Sequence, residues 1–185
     1  MIKITPELLD EHREINVYDQ WHEFVYSDFI DDMKKKGVVV ENILFSGFWS
    51  QGDGACFEGY VDDVSKLLDM SEYPEATKFL AVGGQIEFKV THSGHYYHEM
   101  CTDIDLYNDN YYDLRFMETP TEFHQEVVNA LDGILQPEID KMYSDAVDVL
   151  RGHMKQLYSK LEKEYEHLTS DDLVEEAIKA NDIGE

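Results

Sequence analysis

The chain has 185 residues, 43% hydrophobic and 12% aromatic, with 40 Asp plus Glu against 15 Lys plus Arg and a formal net charge of −25. So much apolar mass excludes a disordered chain, and two cysteines, Cys56 and Cys101, exclude a disulfide scaffold. The charge turns the chain away from nucleic acid and anionic membranes and toward basic surfaces, and no apolar run is long enough to span a bilayer.

The length suits one domain over residues 1–185, sheet-rich across 38–117 and helical across 119–181. Residues 1–16 read as a polar lead-in. They lack the apolar run behind basic residues that a signal peptide needs, so a reducing cytoplasm is the expected compartment. Asp19 is placed to cap a helix running to about Lys36, whose apolar stripe is Trp21, Phe24, Val25, Phe29 and Met33. Lys34, Lys35, Lys36 and Gly37 suit its end, because cations complement the helix dipole and glycine accepts the left-handed cap.

A β-hairpin follows. Val38 to Phe45 leads into a glycine-rich stretch, 46–59, and 57–61 leads out. Gln51-Gly52-Asp53-Gly54 reads as the tight connection, since Gly and Asp accept the positive φ of hairpin turns. Trp49, Gln51, Asp53, Gly54 and Cys56 are the residues of this structural loop, with Phe45, Phe48, Trp49 and Phe57 expected in the core. Short helices are predicted over 62–70 and 75–82. Residues 85–91 alternate as a strand, with Ile86, Phe88 and Val90 on one face. A turn at Ser93-Gly94 leads into a second arm over 95–107, and 111–117 reads as a last strand.

Beyond Pro120, in a favoured first-turn position, the pattern turns helical. Pro137 is expected to interrupt it. From Glu138 a long helix runs to about Leu168, with Ile139, Met142, Tyr143, Ala146, Val149, Leu150, Leu157, Leu161, Tyr165 and Leu168 inward and Gly152 as a kink or close contact. A last helix covers 172–179. The expected fold class is α+β: an antiparallel sheet of about five strands packed against helices, with a long C-terminal helix.

Three patterns carry candidate chemistry. Asp53-Gly54-Ala55-Cys56-Phe57 resembles the nucleophile segment of OTU-type cysteine proteases, where Asp-Gly-Asn-Cys is typical and a later His activates the thiol. Here Ala55 stands for the Asn, Glu58-Gly59 for the usual aromatic and Arg, and no helix pattern opens at Cys56, so a buried structural cysteine is expected. His92, His95, His98 and Cys101 are all zinc-ligand types, but a period of three on a strand throws successive side chains to opposite faces. No metal and no cofactor is expected. The third pattern is charge: residues 99–126 hold eight acids against Arg115 alone. Acids two apart on a strand lie about 6.6 Å apart, a spacing comparable to successive phosphates. Glu99, Asp103, Asp105, Tyr107, Asp109, Tyr111, Tyr112 and Asp113 are the candidate partner-binding residues.

Three motifs together, SGFWSQGDGACF from Ser46, GHYYH from Gly94 and LEKEYEHLTSD from Leu161, resemble a group of small uncharacterised proteins of tailed bacteriophages. The resemblance implies a phage origin and expression in a bacterial host cytoplasm, and it carries no catalytic residue. For an acidic chain of that origin the expected role is a non-enzymatic inhibitor that meets a basic host protein or nucleoprotein complex, without binding nucleic acid or membrane itself. Two other readings stand beside it: a small phage enzyme using the 46–59 loop with His95 and Cys56, and a non-catalytic adaptor that forms a homodimer.

Overall fold

Four extended segments rich in β-branched and aromatic residues pair, in chain order, into one antiparallel meander. They are β1 (Val38–Phe45), β2 (Ala55–Val61), β3 (Glu87–His92) and β4 (Thr102–Tyr107). The helices are α1 (Pro6–Glu11), α2 (Glu23–Lys35), α3 (Val64–Leu67), α4 (Pro74–Ala81), α5 (Glu122–Leu168) and α6 (Asp171–Ala180), with 3-10 turns at Met70–Glu72 and Glu99–Cys101. This computed structural model describes residues 4–81, 84–107 and 122–183, with the backbone alone for 122–134. The fold is the α+β class read from the sequence. The strand expected over 111–117 lies outside the described residues, so four described strands stand against about five.

The core lies between one face of the sheet and the helices α2 and α5. Apolar residues recur along α5 at steps of three and four, so they line one face of the helix. Ile139, Met142, Ala146, Leu150, Met154, Leu157 and Leu161 are all buried, as are Val61, Phe88, Val90 and Ile104 on the sheet. From α2 come Val25, Phe29 and Met33, and the Phe29 ring meets Phe57 at 5.8 Å between centroids. Each such side chain stabilises the fold by about 1.5–3 kcal/mol through the apolar surface it removes from water. A second set of contacts fixes α5 lengthwise. The Glu138 carboxylate accepts hydrogen bonds from the N–H groups of Glu75 and Ala76, at 2.9 and 3.0 Å, and so caps α4 from another helix. The Tyr73 hydroxyl donates to Asp145, and Lys141 lies over the Tyr73 ring.

Several local expectations yield to this packing. Pro137 does not interrupt the helix, which runs unbroken from Glu122 to Leu168. A proline removes one intrahelical hydrogen bond, but Leu135 and Ile139 on either side of it are both buried, and Glu138 is tied to α4. Gly152 is neither crowded nor a contact point, since a Cβ built there would meet nothing within 4 Å. Asp19 does not cap α2: the residue before the helix is His22, without a side-chain cap. Phe24 is 72% exposed because it falls outside the arc of Val25, Phe29 and Met33, and Tyr143 is 41% exposed although it lies one turn from Ile139 on the buried side. The end of α2 is as expected, with Gly37 at φ +70°.

Two substitutions on α5 check this account. Leu157→Ala should lower stability by about 2–5 kcal/mol, through lost transfer energy and a cavity. Gly152→Ala should raise it by about 0.8–1.0 kcal/mol, since alanine is the better helix former and the space is open. Urea unfolding of the two variants measures both; a destabilised Gly152→Ala would contradict the open space beside that residue.

Candidate functional site

The four strand ends Phe45, Ala55, His92 and Thr102 lie at one end of the meander, and two loops, 46–54 and 93–101, rise from them. The first hairpin is paired up to Phe45 with Ala55, and the second up to His92 with Thr102. Between the hairpins, pairing of β2 with β3 stops at Gly59 with Val90. Glu58 takes over there. Its carboxylate accepts the His92 N–H at 3.2 Å and an Asn42 side-chain N–H at 3.1 Å. The Asn42 bond first, then the His92 bond, holds the Glu58 carboxyl below the usual carboxylate range.

The 46–54 loop is closed by its own polar groups. Ser46 N–H donates to Gly54 O, and the Asp53 carboxylate accepts the Ser50 N–H at 2.7 Å. It docks on the second loop through two glycines. A Cβ at Gly52, which has φ +91°, would fall 2.2 Å from the Tyr96 ring, and one at Gly54 would fall 2.6 Å from His98 Cβ. Phe48 turns inward, to within 5.0–5.6 Å of the Phe45, Tyr158 and Tyr165 rings, and Trp21 closes the cluster at 6.2 Å. Trp49 does not follow it. It adopts φ +66° and is 70% exposed, so the expectation that it is buried fails. The left-handed backbone points it away from the pocket that Phe48 fills, and Phe48 and Tyr165 flank it at 5.4 and 5.5 Å. Gln51 is exposed at the loop tip.

Cys56 is wholly buried, and burial, then the charge of Glu58, pushes its thiol up to about 12. Such burial favours the neutral thiol over the thiolate. His95 is exposed and packs edge-on against Tyr96. His98 and Cys101 approach to 3.6 Å, while the His98 Nδ1 accepts the Met100 N–H, which leaves Nε2 as the protonated nitrogen of the neutral ring, facing the sulfur. His92 Nε2 instead meets Tyr96 O. Among the described residues no group of three or more His, Cys, Asp or Glu has metal-binding geometry.

The expected acidic row is partly rearranged. Residues 93–101 form a loop ending in a 3-10 turn rather than a strand, because His98 caps that turn and the Thr102 hydroxyl donates to Glu99 O. Glu99 therefore leaves the row; its side chain is 21% exposed and pairs with Lys155 at 3.4 Å. Asp103, Asp105 and Tyr107 do share the solvent face of β4, all exposed. Across from them on β3 stand Thr91, Lys89 and Glu87, in register with Asp103, Asp105 and Tyr107 respectively. Asp109, Tyr111, Tyr112 and Asp113 lie outside the described residues. Sequence reading missed the aromatic cluster itself. Its only local signal is the spacing of Tyr158 and Tyr165 at seven residues on one helix face.

The chain belongs to the family described as Domain of unknown function (DUF8835), whose model matches residues 21–171. No curated protein and no solved structure matches it. No helix among the described residues is long and apolar enough to cross a membrane.

The seam at Glu58 has a pH signature. A lowered folded-state pKa contributes stability above the unfolded value, about 4.3, that is lost as pH falls through the folded value. Glu58→Gln should therefore be less stable than the parent protein at pH 7, with a smaller gap at an acidic pH below that unfolded value. Urea midpoints at the two pH values measure it, and an equal gap at both would contradict the assignment.

Proposed function

We propose that this DUF8835 protein is an acidic decoy, made by a tailed phage in the cytoplasm of a bacterial host, that occupies a basic surface on a host nucleic-acid-binding or defence complex. The observation that carries the reading is the open face of the sheet. Asp103, Asp105 and Glu87 are exposed there on a paired ladder, with Lys89 opposite Asp105 as the cation among the described residues of that face of β3 and β4. Strand geometry spaces Asp103 and Asp105 at about 6.6 Å along β4 and sets Glu87 about 7–8 Å from Asp105 on the diagonal. The face is rigid, because the other side of the same strands carries the buried Phe88, Val90 and Ile104.

The net charge of −25 extends the field beyond that face. Nucleic-acid sites are built from Lys and Arg, and their affinity comes largely from neutralising phosphates. A fixed array of carboxylates competes for those same groups and accelerates encounter with a basic partner. The complete burial of Cys56 weighs against the reading of a thiol enzyme at the 46–59 loop.

The test is capture and competition. The protein immobilised on resin should retain a basic complex from host lysate at low salt and release it as salt rises. The purified complex should then lose its nucleic acid to added protein. Reversing Glu87, Asp103 and Asp105 together to Lys should weaken that competition by about a hundredfold, because like charges then face each other. Folding should change little, since surface substitutions typically stay within about 0.5 kcal/mol each. Undiminished competition by the reversed protein would reject this face as the decoy surface.

A further inference from the structure

We infer that the surface around Trp49 is a receptor for one cationic side chain of a basic partner, arginine in preference to lysine. This rests on the proposed reading that the partner is basic, and it names the contact that adds selectivity to charge.

The argument begins with the backbone. Among the described residues Trp49 and Asp182 are the non-glycine residues at positive φ, and Trp49 is at +66°. That conformation costs a bulky residue about 1–2 kcal/mol that Gly, or at lower cost Asn, largely avoids. Burial does not offset the cost, since Trp49 is 70% exposed. Within the fold this is the wrong residue in the wrong conformation, so its use lies outside the fold. The indole is nevertheless held in place. Phe48 lies 5.4 Å from it, and Tyr165 meets it edge-on at 5.5 Å and 65°.

Two carboxylates are bonded to the residues next to this platform. Asp53 belongs to the same loop and ties down Ser50, the next residue after Trp49. Glu14 accepts a hydrogen bond from the Tyr165 hydroxyl at 2.6 Å. Glu162 follows Tyr158 by four residues, one turn along the same helix face, and burial first, then the charges of Glu162 and Asp53, holds the Tyr158 hydroxyl above its usual range. Lys163 leaves the row of Tyr158, Glu162 and Tyr165 by about 100° of helix. An indole face with carboxylates beside it suits a guanidinium, which stacks on the ring and donates to carboxylates through its fork; an ammonium does only part of this.

The experiment uses the whole protein and a labelled twelve-residue peptide of alternating arginine and glycine, with a lysine–glycine counterpart, read by fluorescence anisotropy. Trp49→Asn keeps the charge and suits the backbone, and Trp49→Gly serves as a second substitution should Asn perturb the loop. The parent protein should bind the arginine peptide more tightly than the lysine peptide. Both variants should weaken arginine binding by about fivefold and erase the preference, with thermal melting unchanged or raised. Arginine binding by both variants equal to the parent's overturns the receptor. If it does so while the reversal of Glu87, Asp103 and Asp105 still abolishes competition, the decoy reading survives alone. If the preference depends on Trp49 but no nucleic-acid-binding complex is displaced, the receptor stands and the decoy reading falls.

Discussion

Everything in this molecule hangs on the buried stripe of α5. Ile139, Met142, Ala146, Leu150, Met154, Leu157 and Leu161 bring one face of the sheet, α2 and α4 onto a common axis. A chain at −25 repels itself in any compact state, so the fold needs an apolar contact long enough to outweigh that repulsion. A helix of 47 residues supplies it without many loop closures. The same contact decides which sheet face is free. With α2 and α5 on one side, the alternation of β3 and β4 leaves Glu87, Lys89, Asp103, Asp105 and Tyr107 to solvent.

The acid surplus is not all surface. Glu138 serves as the anion at the start of α4, Glu58 fills the gap where β2 and β3 part, and Asp53 braces the 46–54 loop. Each occupies a place where backbone N–H groups lack partners, so carboxylates here replace backbone pairing. Cations are used sparingly: Arg13 binds Asp10, Asp171 and Thr169 O, tying the chain before α2 to the turn after α5. Asn16 adds a bond to Leu168 O.

What was legible in the sequence was what is local. The alternation over Ile86, Phe88 and Val90, the three-and-four spacing of the α5 stripe, and the lysines and glycine ending α2 each follow from neighbours in the chain. Two misreadings come from contacts remote in sequence. Pro137 is held helical by burial of Leu135 and Ile139 and by α4, which is remote in sequence. Trp49 is turned outward because Phe48 takes the pocket built by Trp21, Tyr158 and Tyr165, residues spread over most of the chain. The 93–101 segment leaves the strand through the local bonds of His98 and Thr102, and Gly52 and Gly54 of the other loop give it a bed. Thus the parts of the candidate site that depend on loops meeting were hidden, while the exposed positions of β4 were readable from alternation alone.

The short seam between β2 and β3 has a mechanical meaning. Pairing holds residues 59–61 to 88–90, while each hairpin is laced along most of its length. The sheet is therefore less a plate than two leaves on a helical spine, with the docked loops as their latch. A force pulling the loops apart would open the leaves like a book, tearing at Glu58 before either hairpin unzips.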